Sequence, residues 1–451
     1  MTDQFVFRGQ PDAEAQRREF EESLGGTRPD QTVDAEWLRE LVMAAGAADV
    51  GFVEVGREAL GDESDHARRI FPRVRSLVSM VTVANPDAIR SVSRATANVA
   101  WHHKVVALDE VTRSVIDQLN ERGISAVGTS SGFPMRHEPG QTTWEIAHKV
   151  VAVEAGLGHM GTNRNVIHPK FGNFVLLETL LIDAAITSYG APLDYNPCNG
   201  CNLCVVACPV GAIHKNDHFD FFACLEHNYR EFFPGFDDMV HTIADAGDKT
   251  TYQAKFTAEE THSMWQSLGF GPNYKSAYCQ AVCPAGEDVI GPYVADKAQW
   301  RKDHVTPLLR KEENVYVRSA TRAEKVALRN KSKRVRYIDF EPSVSTPENF
   351  VLGIKHRFDP TRAGSIACRI RLEFPDGSSK LVTVDDGSLT VDPVGAHEDA
   401  ELPTPDATVE LVGSGYIRLL HPGFHPEQPT EPTYRLTGDP AALGALLASM
   451  S

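Results

Sequence analysis

The chain of 451 residues is longer than one compact core usually spans, so its length predicts two or three domains. Hydrophobic residues make up 42% of the sequence and charged residues 24%, which is typical of a globular protein. A net charge of −16 argues against nucleic acid or an anionic membrane as a partner, because both would repel the chain. The first residues do not form a secretory signal and no apolar run reaches the length of a membrane span, so we predict a cytoplasmic protein.

Residues 1–32 are polar and are interpreted as a flexible arm. Residues 33–192 alternate between helical and strand-like apolar spacing, which predicts an α/β or α+β domain. Asp34 can cap the first helix, and the near-continuous apolar run at 75–84 indicates a strand buried on both faces. The other predicted elements are strands at 48–55, 124–127 and 174–182 and helices at 99–119 and 142–155.

The sequence beyond residue 192 divides into three parts. Residues 193–295 carry most of the cysteines, and residues 296–337 are so charged that we expect a solvated connector. Residues 338–451 predict a separate, small α+β domain. Its predicted elements are strands at 367–374, 380–384, 388–391 and 407–412 and a short apolar helix at 440–450.

Seven of the eight cysteines lie in one segment of the chain, which indicates metal ligation rather than disulfides in a reducing compartment. Residues 198–209 read Cys-x2-Cys-x2-Cys-x3-Cys-Pro, the spacing of ferredoxins that bind two iron–sulfur clusters. The alternative is a structural zinc site, but zinc usually binds paired Cys-x2-Cys hairpins. Cys368 lies apart from the others and is interpreted as an ordinary buried thiol.

The ferredoxin spacing assigns the cysteines to two clusters, because the fourth cysteine of each run ligates the other cluster. One 4Fe-4S cluster would be held by Cys198, Cys201, Cys204 and Cys283, and the second cluster by Cys208, Cys224 and Cys279. Ser276 stands where a complete motif has another cysteine. The second cluster is therefore either a three-iron cluster or a four-iron cluster with an oxygen, nitrogen or distant ligand.

A glycine-rich loop, Ala-Gly-Leu-Gly-His-Met-Gly at 155–161, precedes an apolar strand and the cysteine motif. Its backbone amides carry little side-chain bulk and suit the close approach of a large or anionic cofactor. This order of loop, strand and ferredoxin motif resembles the corrinoid-dependent reductases, which comprise the reductive dehalogenases and the epoxyqueuosine reductases. The resemblance covers roughly residues 35–295 and includes the Trp-His-His-Lys motif at 101–104.

The resemblance implies a cobalamin held in the first domain, with one cluster close enough to reduce its cobalt. The chain has no Asp-x-His-x-x-Gly motif to supply a histidine beneath the cobalt, which is compatible with these families and also with a chain that binds no corrinoid. The expected cofactor contacts are Gly156, Gly158, His159, Gly161, Asn163 and Arg164. The predicted fold class is thus α+β: an α/β domain of the corrinoid-binding type, a two-cluster ferredoxin-like domain and a small C-terminal α+β domain.

The two families differ in their proton donor. Epoxyqueuosine reductases carry an Asp in the turn that corresponds to residues 129–134, and this turn has none. Reductive dehalogenases use a tyrosine near an arginine or lysine; Arg136 stands at a plausible place for the cation, but residues 57–194 contain one tyrosine, Tyr189, which is not at the expected place. The resemblance therefore leaves a histidine as the donor, since histidine can donate near neutral pH. The candidates are His102, His103 and His137.

Each of these assignments has a structural alternative. The histidines at 102 and 103 fit an ordinary helix surface or core, and Arg136 could pair with Glu138 or Glu145. His159 and His168 are equally well explained as loop residues that bond the backbone.

Residues 358–412 resemble the sterol-carrier-protein fold, in which a small sheet and helices enclose an apolar lipid tunnel. The proline-rich stretch at 421–429 departs from that family, because it does not suit the interior of the tunnel helix. The domain could therefore serve as a lid or in forming a homodimer instead.

The main prediction is an iron–sulfur, cobalamin-dependent reductase, similar to reductive dehalogenases, that acts on a small apolar or aromatic molecule. One alternative is an epoxide or epoxyqueuosine reductase-like enzyme. Another is a ferredoxin-like electron-transfer protein without a catalytic cofactor of its own. The expected partners are a small-molecule substrate and an electron donor such as ferredoxin or flavodoxin.

Overall fold

The computed structural model describes residues 31–138, 141–215, 218–319, 321–338, 347–375, 377–394, 403–411 and 434–450. Nearly all of the predicted arm and the proline-rich stretch at 421–429 lie outside these ranges. Among the described residues, no helix combines the length and the apolar character needed to cross a membrane.

The N-terminal part is built on a four-stranded sheet that contains the four strands predicted from the sequence. They are β2 (Asp49–Glu54), β3 (Ser76–Val83), β4 (Ala126–Gly128) and β9 (Val175–Ile182), in the spatial order β2-β3-β9-β4. Every neighbouring pair is antiparallel. This part is therefore an α+β domain rather than an α/β domain with a parallel sheet.

Both faces of this sheet are covered, as the continuous apolar run of β3 predicts. Val78 and Met80 pack under the helices Ala35–Ala44 and Arg94–Glu121. Leu77 lies on the opposite face, because side chains alternate along a strand, and contacts residues of the helix His148–Glu154 and its surroundings. The short helices Glu63–Ile70 and Pro86–Arg90 complete this part.

Capping explains where two of these helices begin. The Asp34 carboxylate accepts a hydrogen bond from the amide of Trp37 at 2.9 Å and starts the first helix, as predicted. Ser93 caps the long helix Arg94–Glu121 in the same way.

The predicted helix at 142–155 is wrong in its first half. The helix covers only His148–Glu154, and Gln141–Thr143 forms strand β6, which pairs with β5 (Arg136–Glu138). Threonine favours extended backbone because its Cβ is branched. The other short strands pair as β1 (Thr32–Val33) with β10 (Ala185–Ile186) and β7 (His159–Met160) with β8 (Val166–Ile167).

The cysteine segment folds into short helices. Those that carry or adjoin cysteines are Leu203–Ala207, Phe221–Asn228 and Tyr278–Ala281, followed by Gly291–Ala295. Three further helices are inserted between Cys224 and Cys279: Phe233–Asp245, Lys249–Lys255 and Ala258–Phe270. This insertion brings many apolar side chains to the surface, among them Trp265 and Phe270, which are 64% and 84% exposed.

The segment 296–337 is not the solvated connector that its charge predicts. It contains the helices Lys297–Trp300, Thr306–Arg310 and Arg322–Arg329, a π-helical turn at Arg301–Val305, and the parallel strands β11 (Glu313–Val317) and β12 (Lys333–Tyr337). Val315 and Val317 are fully buried against Val210 and Ala223 beside the cysteines. The charged residues cover the outside of a folded unit that supports the cysteine segment, so the prediction is wrong here.

The C-terminal part is a small α+β unit, as predicted. Its five strands lie in the order β15-β14-β13-β16-β17, with β13 at Cys368–Glu373, β14 at Ser379–Asp385, β15 at Ser388–Pro393, β16 at Ala407–Leu411 and β17 at Tyr434–Gly438. Asp386 and Gly387 both have positive φ, which the tight turn of the predicted hairpin requires. The helices of this part are Pro347–Arg357, Pro360–Ala363 and Pro440–Ala448.

Candidate iron–sulfur and substrate site

The first cysteine group surrounds one cavity. Its lining includes the four sulfur ligands assigned to the first cluster, Cys198, Cys201, Cys204 and Cys283. Gly200 and Asn202 have φ values of 72° and 54°, so the chain turns sharply between the first three cysteines. Glycine and asparagine tolerate this left-handed backbone, which explains their place in the motif.

The donor set of this first group fits a 4Fe-4S cluster. Burial raises the pKa of Cys283 to about 12, so a metal must displace the thiol proton when it binds. Backbone amides point at the sulfurs: the amide of Thr162 lies 3.5 Å from the Cys198 sulfur, and that of Ala285 also bonds Cys283. Such amide dipoles stabilise the negative charge of a cluster.

The second cysteine group consists of Cys208, Cys224 and Cys279. Burial first, and the neighbouring Cys208 and Cys279 next, raise the pKa of Cys224 well above its usual value. The Cys208 sulfur accepts a hydrogen bond from the amide of Ala212 at 3.3 Å. Cys208 and Cys279 are thus electrostatic neighbours of Cys224.

The Ser276 side chain is hydrogen-bonded within the protein. Its hydroxyl donates to the Asn228 side-chain oxygen at 3.0 Å, and the same oxygen accepts from the amides of Ser276 and Ala277. Arg94 holds the Ser276 carbonyl at 2.7 Å. Among the described residues, the second group thus has three thiol ligands. Cys368 is buried in the C-terminal core.

The glycines of the 155–161 loop are explained by packing within the chain. A Cβ atom on Gly156 would lie 2.7 Å from the Ala191 carbonyl oxygen, and one on Gly158 would lie 2.6 Å from that of Ile167. A Cβ on Gly161 would also meet Ile167, at 2.9 Å. These glycines are needed for close contact with neighbouring backbone, and they leave no cradle that a side chain would fill.

The rest of the loop adjoins the cysteines. Asn163 is buried, lines the first cavity and donates to the Cys279 carbonyl at 3.4 Å. His159 belongs to β7 and pairs with Ile167. Arg164 is exposed and has a positive φ of 59°. Of the predicted cofactor contacts, Asn163 therefore lines the iron–sulfur cavity.

A wide cleft opens beside the sheet, with an empty volume of about 1250 Å³ that includes its mouth. Its lining comprises Arg69, Ile70, Gly128, Thr129, Ser130, Pro134, Met135, Arg136 and Glu145. Arg136 is buried in the wall, so of the predicted catalytic residues it is the one that lines this cleft. Two cations at the cleft can attract an anionic or electron-rich group.

The turn at 129–134 is held by His148. Its Nε2 lies 2.9 Å from the Ser130 carbonyl and must donate, and its Nδ1 therefore accepts from the Thr179 hydroxyl at 3.0 Å. Burial lowers the pKa of His148 to about 4, which keeps the ring neutral.

The next residue, Lys149, connects this turn with the second cysteine group. Its ammonium donates to the Arg164 carbonyl at 2.8 Å and to the Asn165 side chain at 3.1 Å. Burial lowers the pKa of Lys149, while Cys279 and Cys224 raise it, which places the cation near these thiols. Lys149 is itself exposed in the structure.

Aromatic rings make a second connection between the cleft and the second cysteine group. Phe133 lies in the 129–134 turn, and its ring centre is 5.6 Å from that of Phe232. Phe232 packs on Tyr274 at 5.3 Å, and Tyr274 contacts Tyr229 at 5.5 Å. Burial and the nearby Cys224 raise the pKa of Tyr274 to about 12. This hydroxyl therefore keeps its proton at neutral pH.

Neither His102 nor His103 lines the cleft. His103 is exposed on the long helix, and the His102 ring packs against Gly271. The side chain of His137 lies outside the described part of the chain. Tyr229 and Tyr274 were not predicted as candidate proton donors, because both lie outside residues 57–194, where a donor tyrosine was expected. The aromatic residues that follow Cys224 were the available signal.

Comparison with known proteins supports the iron–sulfur assignment. The family model described as "4Fe-4S binding domain" matches residues 191–214. An epoxyqueuosine reductase of Leadbetterella byssophila is 38% identical over 68 residues, which is 15% of this chain and 22% of that protein. One from Atelocyanobacterium thalassa is 29% identical over 189 residues, covering 40% of this chain and 57% of that protein. The chain thus matches less than two thirds of these relatives.

Two solved structures are also similar. The catabolic reductive dehalogenase NpRdhA has a TM-score of 0.37 at 16% identity, over 61% of this chain and 38% of that one. The epoxyqueuosine reductase from Streptococcus thermophilus has a TM-score of 0.34 at 14% identity, over 71% and 84%. Scores this low do not by themselves establish a shared fold.

The relatives confirm the resemblance to corrinoid-dependent reductases that the sequence predicts, and all of those quoted from sequence are named epoxyqueuosine reductase, an oxidoreductase. The alternative prediction of an epoxyqueuosine reductase-like enzyme fits these names better than the main prediction of a reductive dehalogenase. The sterol-carrier resemblance of the C-terminal part remains a prediction.

Proposed function

We propose that the chain is an iron–sulfur reductase of the epoxyqueuosine reductase type that acts on a substrate in the cleft at Arg69 and Arg136. The observation that carries this proposal is the pair of connections from the cleft to the second cysteine group. Lys149 is the next residue after His148, which hydrogen-bonds the cleft turn. Tyr274 packs on Phe232, and Phe232 contacts Phe133 of the same turn. When bound, the two clusters would relay single electrons from the first cysteine group through the second.

Cobalamin is the catalytic cofactor that we propose for the cleft. The cleft is open at its mouth, its two arginines would donate to the amide groups of a corrin, and the hydroxyls of Thr129 and Ser130, which already donate to backbone carbonyls, would accept from them. The glycine-rich loop would support the clusters instead of the corrin, because its glycines are already packed. When bound, cobalamin supplies a low-valent metal centre for reductive cleavage of a carbon–oxygen or carbon–halogen bond.

We propose that Tyr274 holds the proton for the reaction and that Arg136 orients the leaving group. The neutral phenol of Tyr274, which lies behind Phe232 and Phe133, would supply the proton, and a buried guanidinium stabilises developing negative charge on oxygen or halide. Tyr274 replaces His103 in this role, because His103 is exposed on the outer surface of the long helix.

The proposed substrate is a small apolar epoxide or halide rather than a modified nucleoside within tRNA. The turn at 129–134 lacks the Asp that the resemblance implies for the tRNA-modifying family, and the net charge of −16 opposes RNA binding. Phe133, at the turn, is 41% exposed and offers an apolar contact. A low-potential ferredoxin or flavodoxin is the proposed electron donor, and the C-terminal part is proposed to bind a lipid-like molecule or to form a dimer contact.

The test is reconstitution of the full chain under anaerobic conditions with iron, sulfide and cobalamin. We expect iron and cobalt to remain bound after gel filtration, and turnover of an aryl epoxide or halophenol with reduced flavodoxin. Turnover of tRNA that contains epoxyqueuosine, with none of the small molecules, would overturn the substrate assignment. Stable clusters without cobalt retention and without any turnover would instead favour an electron-transfer protein.

A further inference from the structure

A group of metal-ligating side chains lies outside the iron–sulfur site. His214, His218 and Asp359 each bring one ligand atom to within 4.8 Å of the others. The described residues contain one such group of three. His218 and Asp359 are 7% and 5% exposed and His214 is half-buried, so the group is not a surface cluster of acids.

The backbone explains why the two histidines meet. Ile213 and Phe219 form an isolated bridge, and the His214 amide donates to the His218 carbonyl at 3.0 Å. The imidazole rings consequently face each other edge to face, with their centres 4.6 Å apart.

Asp359 reaches the histidines from the C-terminal part. It lies between the helices Pro347–Arg357 and Pro360–Ala363 and caps the second of these through the amide of Thr361 at 2.9 Å. Its own amide donates to the Ser449 carbonyl at 2.8 Å. The carboxylate is therefore fixed through Oδ1, and Arg362 lies 3.9 Å from Oδ2, so a metal ion would compete with this arginine for the second oxygen.

We propose that His214, His218 and Asp359 bind a divalent transition-metal ion, with zinc as the ion whose ligand preferences they match. Two imidazole nitrogens, one carboxylate oxygen and a water molecule complete a tetrahedral zinc site. The metal ties the C-terminal part to the cysteine segment, because its ligands come from both. This inference does not depend on the proposed function.

The positive charge of Arg322 disfavours a metal ion at the proposed site. Its guanidinium contacts the Gly211 carbonyl and lies 2.9 Å from His214 Nε2, and it can only donate, so Nε2 accepts. A metal ion must displace this hydrogen bond or bind Nδ1 after the ring proton has moved to Nε2. Both routes break the contact between His214 and Arg322, so the arginine and the metal compete.

The test is metal analysis of the cluster-loaded full chain after dialysis with zinc and gel filtration. We expect about one zinc ion per chain in addition to iron. Absorption at the zinc K-edge should show nitrogen and oxygen neighbours without sulfur, which separates this site from zinc bound by the cysteines. Zinc with sulfur neighbours, or no retained zinc, would overturn the proposal.

Variants locate the ion. His218→Ala and Asp359→Asn should each weaken zinc binding about tenfold or more and leave the iron content unchanged. Asparagine retains the helix cap, so Asp359→Asn separates metal binding from folding. Arg322→Met should tighten zinc binding, since it removes the competing donor. His241→Ala, at an exposed histidine of the inserted helices, is the matched control. Equal zinc content in all four variants would refute the assignment.

Discussion

The two cysteine groups differ in completeness and in their surroundings. The first has four cysteines around a cavity, whereas the second has three, with Ser276 held by Asn228. Lys149 and Tyr274 are electrostatic neighbours of cysteines in the second group. The proposed function assigns these groups different roles: the complete group would transfer electrons, and the incomplete group would adjoin the chemistry.

The largest expected effect comes from removing one cysteine of each group. Cys201→Ala should lose the first cluster and Cys224→Ala the second, because a buried cluster with a missing thiolate is not retained. With about seven iron ions in the parent chain, we expect losses of about four and about three respectively. Iron analysis and paramagnetic resonance of both proteins measure this. Equal losses of four would show that the second cluster is a four-iron cluster.

Substitution of one tyrosine tests whether proton delivery belongs to the second group. Tyr274→Phe should lower kcat about 100-fold with clusters intact, because the phenol proton is removed and the ring remains. Tyr293→Phe is the matched control, since Tyr293 lies beside Cys201 of the first group. A similar kcat for both variants would end the assignment of Tyr274.

Restoring the missing thiol should make the two groups alike. Ser276→Cys is expected to convert a three-iron cluster into a four-iron cluster, so that the resonance of the oxidised three-iron form disappears and iron rises to about eight per chain. Ser388→Cys, at an exposed position of the C-terminal part, controls for an added thiol. An unchanged spectrum would mean that the Ser276 position does not reach the cluster.

Removing the nearby cation should affect the second group more than the first. Lys149→Met is expected to lower the reduction potential of the second cluster by tens of millivolts, because a positive charge favours the reduced, more negative form. Lys170→Met removes an exposed lysine and should leave both potentials in place. A redox titration followed by paramagnetic resonance measures both. Equal shifts of the two clusters would contradict the position assigned to Lys149.

The smallest effect concerns the glycine-rich loop at 155–161. Gly158→Ala should lower the free energy of unfolding by about 1–3 kcal/mol, because the added methyl group would meet the Ile167 carbonyl. Gly132→Ala, where a Cβ would have open space, is the control. Thermal unfolding of the cluster-loaded proteins measures the difference. A Gly158→Ala protein that is as stable as the parent but no longer retains cobalamin would instead support the prediction that the loop contacts the cofactor.

Local sequence patterns predicted many elements of this molecule, but they did not predict the contacts between segments that are distant in sequence. The strands of the N-terminal sheet follow from apolar runs, and the grouping of Cys283 with the first cysteines follows from ferredoxin spacing. The prediction of a solvated connector at 296–337 was wrong, because charged residues mark the exposed side of an element and do not reveal the buried Val315 and Val317. Tyr274 could not be placed, because a long insertion separates it from the cleft in sequence.

The exchange of cysteines between the two groups has a consequence for how the protein is made. Cys283 follows Cys204 by about eighty residues, so a ribosome must release the whole helical insertion before the first group is complete. Until then the earlier thiols are exposed to oxidation and to competing metal ions. Cellular maturation of this chain is therefore expected to depend on iron–sulfur delivery after synthesis, with the inserted helices folding first and bringing the two ends of the segment together.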